Sequence, residues 1–169
     1  MRDATIRLLQ LVYFMAPAYC ANMAPPFIKY WRGWNRPIHV RWFGGHKTVV
    51  GFAVGVAVGL LATAVQRWID APSPIVSYEH WIILGLGFGV GAMGGDAAKS
   101  FFKRRVHVPP GKPWVPFDQL DFVIGVVVLL TPWVNLRVMD IFSILAITFV
   151  GDVTANQLAF RWGIKDAPS

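Results

Sequence analysis

Between Gly94 and Arg105 the chain gathers one carboxylate, one hydroxyl and four cations: Asp96, Lys99, Ser100, Lys103, Arg104 and Arg105. They follow directly on a glycine-rich apolar run from Trp81 to Val90. On a continuing helix Asp96, Lys99, Ser100 and Lys103 stand at i, i+3, i+4 and i+7 and share a face. A second acidic pair, Asp118 and Asp121, comes after a short basic loop, and its spacing sets both carboxylates on one side of a first helical turn. Carboxylates with no His or Cys cluster beside them suit a hard cation such as Mg²⁺ better than Zn²⁺. Cations suit phosphates. Placed where an apolar helix leaves a bilayer, the combination suggests chemistry on a phosphorylated lipid. Structural roles are also open: Asp96 can pair with Lys99 or Lys103, and Asp118 and Asp121 suit the positive end of a helix dipole.

Other polar groups lie near the ends of apolar runs. Gly44-Gly45-His46-Lys47-Thr48 opens one of them. It lacks the glycine spacing of a Walker loop, yet a helix N-terminus carrying a lysine and a hydroxyl is a prospective anion site. Lys47 can equally be a snorkelling side chain. Asn22, before Pro25 and Pro26, can meet polar lipid or nucleotide atoms, or backbone freed by the prolines. Asp152 and Asn156 are one turn apart inside the last apolar run, which favours a helix-packing pair. The four histidines, His39, His46, His80 and His107, are scattered and make no ligand pair. Cys20 is the lone cysteine, so an internal disulfide is excluded.

The elements that must position these groups are membrane helices. Of 169 residues, 55% are hydrophobic and only 15% charged, against roughly 25% in soluble domains. The net charge of +7 is confined to loops between long apolar runs, which argues against a nucleic-acid partner and for anionic headgroups or nucleotides. Five segments approach the roughly 20 residues a bilayer requires: 4–24, 48–65, 81–98, 120–136 and 138–160. The first carries Pro17 and the fourth Pro132, and a tight turn near Leu136-Arg137 separates the last two. Gly51, Gly55 and Gly59 form overlapping small-xxx-small repeats, and six glycines crowd the third span, which predicts close helix packing.

Charge then sets orientation. Lys29, Arg32, Arg36, Arg41 and Lys47 lie in the first long loop. Lys99, Lys103, Arg104, Arg105 and Lys112 follow the third span, and Arg161 and Lys165 the fifth. Only Arg2, Arg7, Arg67 and Arg137 fall on the other side. The positive-inside rule puts the N-terminus outside and two long basic loops, with the C-terminus, in the cytosol. Trp31, Trp34, Trp42, Trp114 and Trp162 read as interface anchors. No cleavable signal peptide is evident. The expected fold is an all-α, multi-pass integral membrane protein of the cell membrane, one domain over residues 1–169.

The quoted motifs resemble those of the CDP-archaeol synthases, relatives of the CDP-diacylglycerol synthases, over nearly the whole chain. The resemblance rests on Tyr19-Cys20-Ala21-Asn22 with its prolines and on Gly44-Gly45-His46-Lys47-Thr48 with Gly51. Its most specific parts are Gly95-Asp96 through Lys99-Ser100-Phe101 to Lys103-Arg104-Arg105, and Pro116-Phe117-Asp118-Gln119-Leu120-Asp121-Phe122. The His-Gly-Gly segment of the longer relatives is replaced here by Lys112-Pro113-Trp114-Val115-Pro116-Phe117. The resemblance implies a five-helix fold, CTP as substrate and Mg²⁺ as cofactor. It implies that Asp96, Asp118 and Asp121 bind metal, and that Lys47, Lys99, Ser100, Lys103, Arg104 and Arg105 surround phosphates, with Asn22 and Thr48 beside them.

The expected reaction is nucleotidyl transfer: a lipid phosphate oxygen attacks the α-phosphorus of CTP and pyrophosphate leaves. The lipid is expected to be an unsaturated archaeal ether-lipid phosphate, 2,3-bis-O-geranylgeranylglycerol 1-phosphate. Phosphatidic acid is the alternative, and a small membrane transporter a more distant one. A CDP-alcohol phosphotransferase fits poorly, because Gly95-Asp96 is not followed by an aspartate at Ser100.

Overall fold

The computed structural model describes residues 2–31, 33–71, 75–109 and 112–161. The expected basic residues Arg32 and Lys165 and the expected anchor Trp162 lie outside them. Among the described residues every regular element is helical: α1 (Arg2–Met23), α2 (Val40–Phe43), α3 (Val49–Ile69), α4 (Trp81–Arg105), α5 (Phe117–Leu130) and α6 (Val138–Arg161). Short 3₁₀ turns lie at Pro25–Tyr30, Tyr78–His80 and Thr131–Trp133.

Helix α4 is the centre of the bundle. One side packs on α3 and the other on α5, and glycine makes both contacts close. A Cβ at Gly89 would lie 2.6 Å from Val56 Cα, and one at Gly59 would lie 2.9 Å from Gly89 Cα. On the opposite side a Cβ at Gly91 would lie 2.7 Å from Val126 Cα. A Cβ at Gly95 would collide with the Asp121 carbonyl, and one at Gly125 with the Gly91 carbonyl. Backbone rests on backbone, as small-residue interfaces permit in apolar surroundings. Phe14, Phe88, Met15, Leu11 and Val126 fill the remaining core, and Phe14 meets Phe88 edge-on at 5.1 Å.

Polar ties fix the outer helices. Tyr19 and Thr148 hydroxyls share a 2.9 Å hydrogen bond between α1 and α6. Gln66 Nε2 donates to the Tyr13 carbonyl, tying α3 to α1. At the end where α6 begins, Arg7 donates from Nε to Asp140 Oδ1 at 3.0 Å and from Nη2 to Oδ2 at 2.5 Å. The Arg137 N–H completes the cap on Asp140 Oδ2 at 2.9 Å. Asp152 and Asn156, expected as a packing pair, hydrogen-bond each other along α6 at 2.8 Å.

Among the described residues four helices are long and apolar enough to cross a membrane: α1, α3, α4 and α6. With this all-helical bundle, they make the chain an integral membrane protein. The segment expected at 120–136 differs. Its α-helix begins three residues earlier, at Phe117, and stops at Leu130. Pro132 lies in the 3₁₀ turn that follows, because proline lacks the N–H an α-helix needs and crowds the preceding turn. At 14 residues α5 is about 21 Å long. In place of a bare turn before α6, the Asn135 N–H is held by the Ile75 carbonyl at 2.9 Å.

Candidate active site

Most of the candidate residues gather where α1 and α4 end and α3 and α5 begin. Three carboxylates there share one ammonium. Lys99 Nζ lies 3.2 Å from Asp96 Oδ1, 3.3 Å from Asp118 Oδ1 and 2.9 Å from Asp121 Oδ2. Lys47, at the start of α3, pairs with the other oxygen of Asp96. Lys103 spans both oxygens of Asp118, at 3.1 and 2.9 Å. Three acids and three lysines therefore cancel in formal charge. That balance is what makes so many ions tolerable at the depth where the Asp121 side chain is only 5% exposed.

The chain's local geometry explains the convergence. Asp96, Lys99 and Lys103 line one face of α4, as their spacing predicts. Gly95 removes the side chain that would hold α5 away, so the first turn of α5 can present Asp118 and Asp121 to that face. Asp118 also holds the loop that leads into its helix, accepting the Trp114 N–H at 2.5 Å. The Asp96–Lys99 pair read from sequence is present, Lys47 is drawn into the site, and neither acid of α5 caps its helix.

Other expected residues have definite places. Thr48 Oγ1 caps α3 by accepting the Gly51 N–H at 3.1 Å. Ser100 Oγ donates to the Asp96 carbonyl at 2.9 Å, so its hydroxyl is used within α4. Asn22, Lys47, Thr48 and Asp96 line a polar cavity of 480 Å³ with Asn35 and His46. Asn35 went unremarked in the sequence, where its aromatic and basic surroundings give no signal; its buried Oδ1 has no hydrogen-bond partner among the described residues. Gln119, buried between the two acids of α5, likewise keeps Oε1 unpartnered. Arg104 and Arg105 line a different pocket, with Arg41, Trp42, Phe101 and His107.

A second cavity meets the ion cluster from the other side. It is an apolar groove of 640 Å³ between α4 and α5, walled by Val90, Phe102, Phe117, Ile124, Val128 and Leu129. Its floor is glycine, at Gly91, Gly94, Gly95 and Gly125, and it touches Lys99 and Asp121 at the polar end. The ions thus separate a polar cavity from an apolar one.

Metal binding can be weighed on the donors themselves. Among the described residues no three His, Cys, Asp or Glu groups are spaced to hold a metal ion directly. The carboxylates stand at ammonium distances from Lys99, longer than the ~2.1 Å of a Mg–O bond. In chemistry, an all-oxygen donor set from two helices converging on one point fits a hard cation.

Residues 5–169 match the family model described as "CarS-like: CDP-archaeol synthase". The chain belongs to the CDP-archaeol synthase family. A CDP-archaeol synthase of Methanothermobacter thermautotrophicus is 37% identical over 169 residues, covering 95% of this chain and 94% of the relative. One from Thermococcus onnurineus is 32% identical over 170 residues, covering 95% and 96%. A solved structure, described as an intramembrane enzyme for archaeal membrane lipids biosynthesis, is similar with a TM-score of 0.67 and 26% identity. It matches 88% of this chain and 94% of that one.

Proposed function

We propose that this chain is a CTP-dependent cytidylyltransferase that activates an archaeal ether-lipid phosphate to a CDP-lipid. The observation that carries the reading is the place of the Lys99 cluster, between a polar cavity and an apolar groove. Membership of the CDP-archaeol synthase family supports the reaction class.

In this reading the nucleotide enters the polar cavity beside Asn22, Lys47 and Thr48. The lipid tails lie in the apolar groove, and the lipid phosphate reaches Lys99 from there. A phosphate oxygen of the lipid attacks the α-phosphorus of CTP. The bond from the α-phosphorus to the bridging oxygen breaks, and its electron pair leaves with pyrophosphate. The lipid phosphate is already ionised near neutral pH, so alignment and charge neutralisation carry the rate. Lys47, Lys99 and Lys103 exchange carboxylate partners for phosphate oxygens and offset the repulsion between two anionic reactants. Asp96, Asp118 and Asp121 would hold Mg²⁺, which when bound supplies further neutralisation between triphosphate and lipid phosphate.

The membrane arrangement follows from the same loops. Helices α1, α3, α4 and α6 cross the bilayer, and α5 with its 3₁₀ extension makes the fifth pass. The two basic loops face the cytosol, where CTP is found, in a cell-membrane protein of one domain. The test is pyrophosphate release by purified protein with CTP and Mg²⁺. Release with the unsaturated ether-lipid phosphate well above that with phosphatidic acid supports the reading. Preference for phosphatidic acid would reassign the lipid, and no release with either would remove the activity.

A further inference from the structure

The last turn of α4 turns a different set of charges the other way. Arg105 stands nine residues after Asp96, two and a half helical turns on, and so points to the opposite side of the helix. There Arg41, Arg104, Arg105 and His107, with Trp42 and Phe101, enclose a pocket of 480 Å³. Its second wall is α2, four residues long, whose start is capped by His39 Nδ1 accepting the Trp42 N–H at 3.2 Å. Trp42 meets Phe101 edge-on at 6.1 Å, and the Arg105 guanidinium lies 5.0 Å above the Phe101 ring. Arg104 reaches across to the chain at Gly44, whose φ of 81° and missing Cβ leave room for the guanidinium. Among the described residues no carboxylate pairs with Arg41, Arg104 or Arg105, in contrast to the neutralised cluster around Lys99.

We infer that this pocket binds the phosphate of an anionic membrane lipid, at a site separate from the carboxylate cluster. Three unpaired guanidinium groups with no acid beside them are built for a phosphate, which Arg meets with a two-pronged fork. The aromatic wall decides between a lipid and a soluble anion. Phe101 carries the Arg105 guanidinium, with Trp42 edge-on against it, at the end of a membrane-crossing helix, where tryptophan settles at headgroup depth. The site does not depend on the transfer reaction and can be read without CTP.

The test uses full-length protein in detergent, with lipid adducts counted by native mass spectrometry. Phosphatidylglycerol and phosphatidylcholine with identical chains are the probes. Wild type should retain phosphatidylglycerol preferentially, and Arg41→Gln should weaken that retention about fivefold. Arg41→Gln/Arg105→Gln should abolish the preference, while phosphatidylcholine adducts and the thermal transition stay as in wild type. Asp121→Asn should keep it, which separates this site from the transfer site. Arg41→Gln lies on an exposed short helix and keeps the test valid if the double variant fails to fold. Undiminished phosphatidylglycerol retention in folded Arg41→Gln would overturn the proposal. So would loss of the wild-type adduct to millimolar inorganic phosphate, which would mark a soluble-anion pocket.

Discussion

Gly95 on α4 sits against the backbone carbonyl of Asp121 on α5, so close that a Cβ at Gly95 would strike it. The glycine thereby sets how far Asp121 and Asp118 reach toward Lys99. Gly95→Ala must push α5 away, because the obstructing atom is backbone and cannot rotate aside. The expected destabilisation is about 1–3 kcal/mol, with a fall in pyrophosphate release larger than any change in CTP affinity. Gly94→Ala, with open space at its Cβ position, should leave the stability close to wild type, and the two variants are compared on the thermal transition. Equal behaviour of the two alanine variants would remove the spacing argument.

The carboxylates should be separable from the fold. Asp118→Asn and Asp121→Asn keep side-chain volume while removing charge, and each should lower transfer by at least ~100-fold. Helical content by circular dichroism should be unchanged. Residual activity should demand more Mg²⁺ than wild type, and chelation by EDTA should stop the wild-type reaction reversibly. Wild-type turnover in either variant at saturating Mg²⁺ would rule out the metal assignment.

Lys99 should behave differently from its acidic partners. Lys99→Met leaves three carboxylates facing one another around an apolar side chain. Breaking a buried ion cluster from one side typically costs about 3–5 kcal/mol, so this variant should lose both stability and activity. Lys99→Arg should recover stability and little activity, since a planar fork cannot reproduce a point ammonium among three acids. Lys47 contacts one acid at the edge of the polar cavity. Lys47→Ala should therefore raise the CTP concentration needed by about tenfold and leave the saturated rate much closer to wild type. An unchanged CTP requirement would return Lys47 to a membrane-anchoring role.

The sequence disclosed these groups unevenly, for physical reasons. The long helices were legible because apolar runs of bilayer length have few other uses. The end of α5 was misplaced because hydrophobicity continues through Val134 and Leu136, while the hydrogen-bond ladder is decided by Pro132. Asp96 with Lys99 was readable as an i, i+3 pair. That Lys99 also meets Asp118 and Asp121 depends on how α4 and α5 are registered, which two backbone contacts at Gly95 and Gly125 set. Arg104 and Arg105 follow Lys103 directly, yet helical rotation carries them toward α2 and a separate pocket. Asn35 has no neighbour in sequence that marks it as a cavity residue.

The pair between Arg7 and Asp140 offers the clearest division between stability and chemistry. It ties α1 to α6 through two hydrogen bonds, and the Asp140 side chain is only 7% exposed. Among the described residues, none of those proposed for the site lies at that end of the bundle. Removing the guanidinium leaves a buried carboxylate with one backbone donor, so Arg7→Met should cost roughly 2–4 kcal/mol and lower the thermal transition. Asp140→Asn, which keeps one acceptor for Arg7 and for the Arg137 N–H, should cost less. Below their transitions both variants should release pyrophosphate at wild-type rates with wild-type CTP dependence. A selective loss of turnover at full stability would show that the α1–α6 contact is transmitted to Asn22 at the far end of α1, and would move this pair from scaffold to mechanism.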